Sequence, residues 1–353
     1  MTAEDFRYRS LPMRVVFGAG SLASLADEVR HLGLSRVLVL STPSQSGLAE
    51  KVSGLLGDLS AGVYTEAKMH VPIASARAAR SAAEAAGADG CIAIGGGSTT
   101  GLGKAIALES GLPIIAVPTT YAGSEMTPIW GITADGEKKT GRDPKVLPAS
   151  VIYDPELTLA LPVGITVSSA FNAIAHAAEG LYAPDRSPVV SLMAEEGVRS
   201  IVGALPVIAG DPTNRGARAD ALYGAWLCGA VLGATTMSLH HKLCHVLGGT
   251  FDLPHAETHT VVLPHVLHFN ADYAPVAMAA LARATGMPRP ASGLQKLSIA
   301  LGAPRSLREL GLGDDAVERI VELVTSQPYA NARPVTPEGV RAVVRAALDG
   351  VDI

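Results

Sequence analysis

Short unbroken apolar runs alternate with longer segments of helical spacing along the first half of the chain. Arg36-Val-Leu-Val-Leu40, Gly90-Cys-Ile-Ala-Ile94 and Pro113-Ile-Ile-Ala-Val117 are runs of the kind that fill strands buried on both faces. Met13 to Phe17 is a shorter β-like run ended by Gly18-Ala-Gly20. Between these runs, Ser21 to Arg30 opens on a capping serine, and Gly47 to Leu56, Ser75 to Ala86 and Thr100 to Glu109 carry helical spacing or helix-favouring composition. The stretch holding Gly57 and Gly62 reads as a turn. Strand and helix in alternation predict a parallel sheet with helices on both faces.

Past Pro118 the pattern changes. Thr119 to Glu125 is a polar loop, Ile132 to Gly141 reads as a β-hairpin around Asp135-Gly136, and Val151 to Pro155 is a last short strand. From Thr158 onward nearly everything is helical: Val167 to Tyr182, Pro188 to Ile208, Arg218 to Thr235, Met237 to Leu247, and more toward the C-terminus. The expected architecture is an α/β domain over residues 1–155 followed by an all-helical domain over residues 156–353.

Composition narrows the class. A chain of 353 residues is long for one core, which fits two domains. Hydrophobic residues make up 48% and charged residues 17%, too apolar for a disordered chain. The net charge of -5 and the absence of a Lys/Arg stripe argue against nucleic acid as a partner. No uninterrupted apolar run approaches bilayer-spanning length, so no membrane association is expected. Met1 to Arg7 lacks the layout of a signal peptide, and Cys91, Cys228 and Cys244 make no disulfide framework. A cytoplasmic location is expected.

Two places carry chemistry. Gly95-Gly-Gly-Ser98 sits where a strand gives way to a helix, so its backbone N–H groups can hold a phosphate. An ordinary glycine turn would look the same. Thr119-Thr120 follows the next strand, and ligands of open α/β sheets collect at the carboxyl ends of strands, so the pair suggests a dinucleotide.

The second place is Ser238 to His255, which packs His240, His241, His245 and His255 with Lys242 into one apolar segment. His241 and His245 are four apart and share a helix face, and the Gly248-Gly249 pair after them can fold the chain back toward His255. Asn172 and His176 repeat the spacing upstream, so two helices look like facing walls of one site. A single histidine on an apolar helix is ordinarily a core residue; matched pairs point to a metal site or a metal-free acid/base cluster. Glu179 follows His176 closely but has no clear place in the cluster. Cys244 reads as core filler, and Arg333 in Asn331-Ala-Arg-Pro reads as a surface cation or a carboxylate clamp.

Taken together these motifs resemble the iron-containing (group III) alcohol dehydrogenase family across nearly the whole chain. Gly95 to Ser98, Pro118-Thr-Thr120 with Gly123-Ser-Glu125, Tyr153-Asp-Pro155, the Asn172/His176 helix and His241 to His255 fall in family order. The resemblance implies a Rossmann-like N-terminal domain, an all-helical C-terminal domain with the active site between them (the dehydroquinate synthase-like plan), and a homodimer. The family's Asp, His, His and His metal ligands fall on Asn172, His176, His241 and His255, so the carboxylate is missing; Gly101 departs from a common Asp.

Those departures, with Phe171 to His176, His240 to His245 and Ala256-Glu-Thr-His259, are similar to one branch of the family, the maleylacetate reductases. That branch is metal-independent and reduces a carbon–carbon double bond of a dicarboxylate, giving 3-oxoadipate in the catabolism of resorcinol-type aromatics. On this resemblance no metal is expected. His241, Lys242 and His245 are the expected catalytic groups, and Asn172, His176, His255 and Arg333 the substrate-binding ones. Gly95, Gly96, Gly97, Ser98, Thr119, Thr120, Ser124, Lys139 and Leu161 are the expected nucleotide contacts.

In the expected reaction, His241 with Lys242 or His245 stabilises an enolate left by hydride addition, and one of them or a water protonates the α-carbon. Ser41-Thr42 replaces the acidic residue that ordinarily holds a ribose 2′-OH, so NADH is favoured with NADPH tolerated. A metal-dependent alcohol dehydrogenase, a lyase of the dehydroquinate synthase type and a nucleotide sensor without turnover are the other readings.

Overall fold

The computed structural model describes residues 6, 8–11, 13–134 and 137–353; the residues around the start of the chain and the Asp135-Gly136 turn of the expected hairpin lie outside it. Contacts divide the chain into two units. One spans Leu11–Leu161, and the other Pro162–Ile353 with the described residues up to Ser10.

The first unit holds a six-stranded parallel sheet. In chain order its elements are β1 (Arg14–Phe17), α1 (Leu25–His31), β2 (Val37–Leu40), α2 (Ser46–Leu56), β3 (Ser60–Tyr64), α3 (Ile73–Ala85), β4 (Gly90–Gly95), α4 (Gly97–Ser110), β5 (Ile114–Pro118), β6 (Ile129–Ala134), β7 (Glu137–Arg142) and β8 (Ser150–Tyr153). The sheet order is β1-β8-β5-β4-β2-β3, and β6 and β7 form a separate antiparallel ribbon. Alternate residues of each buried strand serve opposite faces. Val37, Val39, Ile92 and Ile94 pack with Leu25, Val29 and Val52 of α1 and α2, while Leu38, Leu40 and Cys91 pack with Ala79, Leu102 and Ile106 of α3 and α4.

Three local expectations change. The Gly57–Gly62 stretch is not all turn: Gly62 lies inside β3, an edge strand that pairs with β2 past a register shift. Its Ser-Ala-Gly-Val-Tyr sequence is only half-buried and shows no apolar run to read. Ser21 does not cap a helix; residues Ser21–Ser24 form a 3-10 turn and the Ser21 hydroxyl donates to the Tyr153 carbonyl. Helix α4 starts at Gly97, so the glycine turn is its first turn.

The unit closes after Leu161, beyond the change of pattern near Asp154. The Asp154 carboxylate accepts from the N–H groups of Gly20, Leu22 and Glu156, which ties the segment after β8 back to the sheet.

The second unit is helical: α5 (Val163–Tyr182), α6 (Pro188–Gly210), α7 (Arg215–Ala234), α8 (Leu239–Phe251), α9 (His255–Asn270), α10 (Pro275–Thr285), α11 (Pro290–Ala300), α12 (Ala316–Thr325) and α13 (Pro337–Asp349). Helix α5 is buried continuously from Thr166 to Tyr182, as an apolar-all-round helix at the centre of a domain must be. A second core gathers Leu239, Leu243 and Leu247 of α8, Val262 and Val266 of α9, and apolar faces of α12 and α13.

Helix α8 runs straight through Gly248-Gly249 to Phe251, and Asp252, in the left-handed region at φ 53°, ends it. A helical glycine costs only about 1 kcal/mol, less than burial of Val246 and Leu247 returns. The reversal toward His255 is therefore made at Asp252 to Pro254 rather than at the glycines. No single helix among the described residues is long and apolar enough to cross a membrane.

Candidate active site

In the first unit the connections leave β2 and β4 in opposite directions, which makes the ends of these strands the crevice where an open α/β sheet binds its ligand. Gly95 ends β4 at φ 149°, and a Cβ there would lie 2.5 Å from Thr99 Oγ1 and 2.8 Å from Gln45 Oε1. A side chain at Gly96 would meet Thr120 at 3.1 Å, so the two strand ends stand against each other. Thr119 N–H donates to the Gly95 carbonyl, and Gln45 Nε2 donates to Thr119 Oγ1 at 2.9 Å. Gly97 is exposed and Ser98 half-buried at the start of α4, whose first N–H groups have no partner within the helix. The arrangement suits a phosphate.

Of the other expected nucleotide contacts, Ser124 is half-buried in the loop after β5. Lys139 is exposed on β7, paired with Ile132 of β6, and Leu161 ends the unit.

In the second unit α5, α8 and α9 bring their histidines together. The His176 and His241 rings lie 5.1 Å apart, His241 and His259 5.1 Å, His240 and His259 4.8 Å, and His255 and His259 4.2 Å. His245 is exposed, 6.3 Å from the His241 ring. Asn172 is buried on α5, one turn before His176.

Glu179, a turn further along α5, is completely buried and organises the cluster. Its carboxylate accepts from the N–H groups of Ser238 at 2.8 Å and His240 at 2.8 Å at the start of α8, where a helix end favours negative charge. It also accepts from His241 Nδ1 at 2.7 Å and from the Tyr182 hydroxyl at 3.3 Å. A carboxylate can only accept, so His241 carries its proton on Nδ1 and presents a lone pair at Nε2. That Nε2 is buried without a partner. His240 Nε2, 3.2 Å from the His259 carbonyl, carries the other assigned proton.

Burial keeps the imidazoles neutral. It pushes His241 down to about 3, with His245 adding, and His240 down to about 4. Burial first, and then neighbouring histidines, also hold His176 and His259 well below the ordinary histidine range. The Glu179 carboxylate works against the shift at His240, and a neutral His241 makes its Nδ1–H hydrogen bond to Glu179 without burying a further charge.

A cavity of about 230 Å³ is lined by Met237, Ser238, His241, Lys242, His245, Gln327, Pro328 and Tyr329. It holds the three expected catalytic residues and adds Tyr329, whose hydroxyl is buried without a partner. Burial, and then the charge of Glu179, hold that phenol well above its usual range, so it stays a donor. Tyr329 arrives on the segment between α12 and α13, which carries no periodic pattern, and nothing in the sequence marked it. Glu179 and His259 stood within recognisable motifs, but only the packing gives them roles.

Arg333 does not reach this cavity. It is exposed, its guanidinium stacks 4.3 Å over Phe269 and donates to the Phe269 carbonyl, and it lines a separate groove with Tyr273 and Glu338. The paired amides of Asn270 and Asn331 hold its segment there. Cys244 is buried in the α8 core, and burial drives its thiol well above the usual range.

The side chains do not fit the metal centre of three imidazoles and a carboxylate implied by the family resemblance. The carboxylate position holds the neutral amide of Asn172. One nitrogen each of His240, His241 and His259 lies within 4.8 Å of the others, but only His241 belongs also to the family's ligand positions. His240 Nε2 faces the His259 carbonyl and its Nδ1 lies 3.4 Å from His241 Nδ1. Glu179, a buried carboxylate beside them, is filled by donors.

Residues 12–155 match the iron-containing alcohol dehydrogenase family, and residues 166–348 match the C-terminal part of that family. The maleylacetate reductase of Burkholderia cepacia is 57% identical over 346 residues, 98% of each chain. The crystal structure of maleylacetate reductase from Agrobacterium tumefaciens is 53% identical and superposes with a TM-score of 0.95, over 99% of this chain and all of that one. A 1,3-propanediol oxidoreductase shares the fold at a TM-score of 0.92 with 23% identity, covering 98% of this chain and 100% of that one.

Proposed function

The chain belongs to the iron-containing alcohol dehydrogenase family, and from that premise we propose that it is an NADH-using reductase of the carbon–carbon double bond of maleylacetate. The observation that carries the reading is the donor set around His241. An amide stands at Asn172, and Glu179 accepts from His241 Nδ1, which leaves the imidazole a lone pair at its buried Nε2 on a residue that lines a cavity with Lys242 and Tyr329.

When bound, the nicotinamide supplies a hydride from C4 to the alkene carbon β to the ketone, and the ketone oxygen takes up the negative charge. Lys242 and Tyr329 are among the donors that line the cavity, and they stabilise that oxygen where charge develops. Neutral His241 offers only a lone pair at Nε2, so it accepts a hydrogen bond or a proton. It donates one to carbon only after a proton has reached it. His245 stands at the exposed side of the cavity, suited to passing a proton between solvent and His241. Asn172, His176 and His255 orient the substrate by hydrogen bonds.

NADPH serves as a second reductant on this reading, because Ser41-Thr42 puts no carboxylate after β2 to repel a 2′-phosphate. The close approach of His240, His241 and His259 favours one other reading, a metal-dependent alcohol dehydrogenase. The test is NADH oxidation by the purified protein with maleylacetate, with and without a strong chelator. Turnover unaffected by the chelator is expected. Activity lost on chelation and restored by iron or zinc would select the metal-dependent reading instead.

A further inference from the structure

Lys104 on α4 is buried to 1% exposure although no carboxylate forms a direct pair with it among the described residues. Its Nζ donates to the carbonyls of Ser124 at 2.6 Å, Thr127 at 2.8 Å and Ile129 at 2.8 Å. It also lies within reach of the hydroxyls of Thr127 at 2.9 Å and Ser124 at 3.3 Å. The chain from Ser124 to Ile129 thus wraps an ammonium much as an oxygen-lined loop wraps a hard cation. Thr127 Oγ1 reinforces the wrap, donating to the Ser124 carbonyl and accepting from Ile129 N–H. From the other side, the Tyr153 hydroxyl donates to the buried carboxylate of Glu125 at 2.8 Å.

Holding a charge there is costly. Burial pulls the lysine down to about 7, Arg142 pulls the same way, and Glu125 opposes. A methionine of similar length would avoid that cost only by leaving the carbonyls of Ser124, Thr127 and Ile129 without their shared donor. The same segment begins at Thr119-Thr120, which stands over Gly95 and Gly96, and Ala122 Cβ would lie 3.7 Å from a side chain at Gly97. Its shape therefore decides what flanks the glycine turn.

We infer that Lys104 is a positioning residue for the nucleotide: its ammonium moulds the segment after β5 so that Ser124 and the Thr119-Thr120 hydroxyls flank the phosphate cradle. It sets nucleotide affinity without touching the nucleotide. This rests on the nicotinamide-nucleotide reading of the glycine turn.

The test compares full-length wild type, Lys104→Met and Thr127→Val by NADH fluorescence titration and by Tm without ligand. Lys104→Met lowers Tm, because the carbonyls of Ser124, Thr127 and Ile129 lose their shared donor, and weakens NADH binding about tenfold, and Thr127→Val weakens it about threefold. At saturating NADH, kcat stays near the wild-type value while the KM for NADH rises. Lys104→Ala recovers affinity in propylammonium but not in propanol.

NADH binding by Lys104→Met within twofold of wild type would overturn the inference. Should that variant aggregate, wild-type affinity in Thr127→Val, or no amine rescue of Lys104→Ala, overturns it equally. Wild type that fails to bind NADH would instead sink the nucleotide reading itself, and this inference with it.

Discussion

His241 shows how one contact sets the chemistry of a residue. Accepting at 2.7 Å, Glu179 assigns the Nδ1–H tautomer and leaves a lone pair at Nε2. Glu179→Gln removes the acceptor-only character, so the amide can donate and the opposite tautomer becomes competitive. We expect kcat to fall by about tenfold to a hundredfold, with a stability loss of about 1–3 kcal/mol from backbone donors left poorly paired. Steady-state kinetics beside a denaturant titration separates the two effects. Tyr329→Phe deletes a hydroxyl that has no partner in the folded protein, so it leaves stability nearly unchanged. If that hydroxyl donates to the enolate, kcat falls about tenfold to a hundredfold. An unchanged kcat would remove Tyr329 from the donors to the enolate, with Lys242 the charged one that lines the same cavity.

At the scale of elements, the histidine cluster depends on how closely helices approach. Helices α6 and α7 pass each other at glycines: a Cβ on Gly224 would come within 2.6 Å of the Gly197 carbonyl and 2.7 Å of Ile201. Gly224→Ala should cost about 1–3 kcal/mol, because backbone cannot yield as a side-chain tip can. The readout is the urea midpoint, and a midpoint equal to wild type would show that the crossing has room. Helix α5 packs against this pair and carries Asn172, His176 and Glu179. The substitution should therefore lower activity along with stability, although no altered atom touches the site.

For the whole molecule, burying several neutral imidazoles makes folding depend on acidity in a predictable direction. His176, His240, His241 and His259 all titrate below the ordinary histidine value when folded. The unfolded chain takes up protons near pH 6.5, the folded one only well below that. Unfolding therefore binds protons below about pH 6.5, and the stability these groups allow is present above that pH and lost as pH falls toward about 4. Tm should drop steeply between about pH 6.5 and 4.5, with a slope reporting uptake of more than one proton. A flat Tm across that window would contradict the buried neutral cluster.

Much of the architecture was legible in the order of residues because periodicity is a local property. Alternating apolar runs marked β2, β4 and β5, and the spacing of Asn172 with His176 and of His241 with His245 placed each pair on one helix face. The local rules missed β3, whose edge position needs no apolar run, and misplaced the end of α8, where burial outweighs two glycines. What only the tertiary structure decided is which side chains from distant segments meet. Glu179 sits against His241, Tyr329 enters the same cavity, Arg333 stays outside it, and Lys104 is caged by the segment after β5. The physical reason is that a residue's pattern fixes the face it occupies on its own element. Its partner, its tautomer and its charge state come from whatever the packing places against that face.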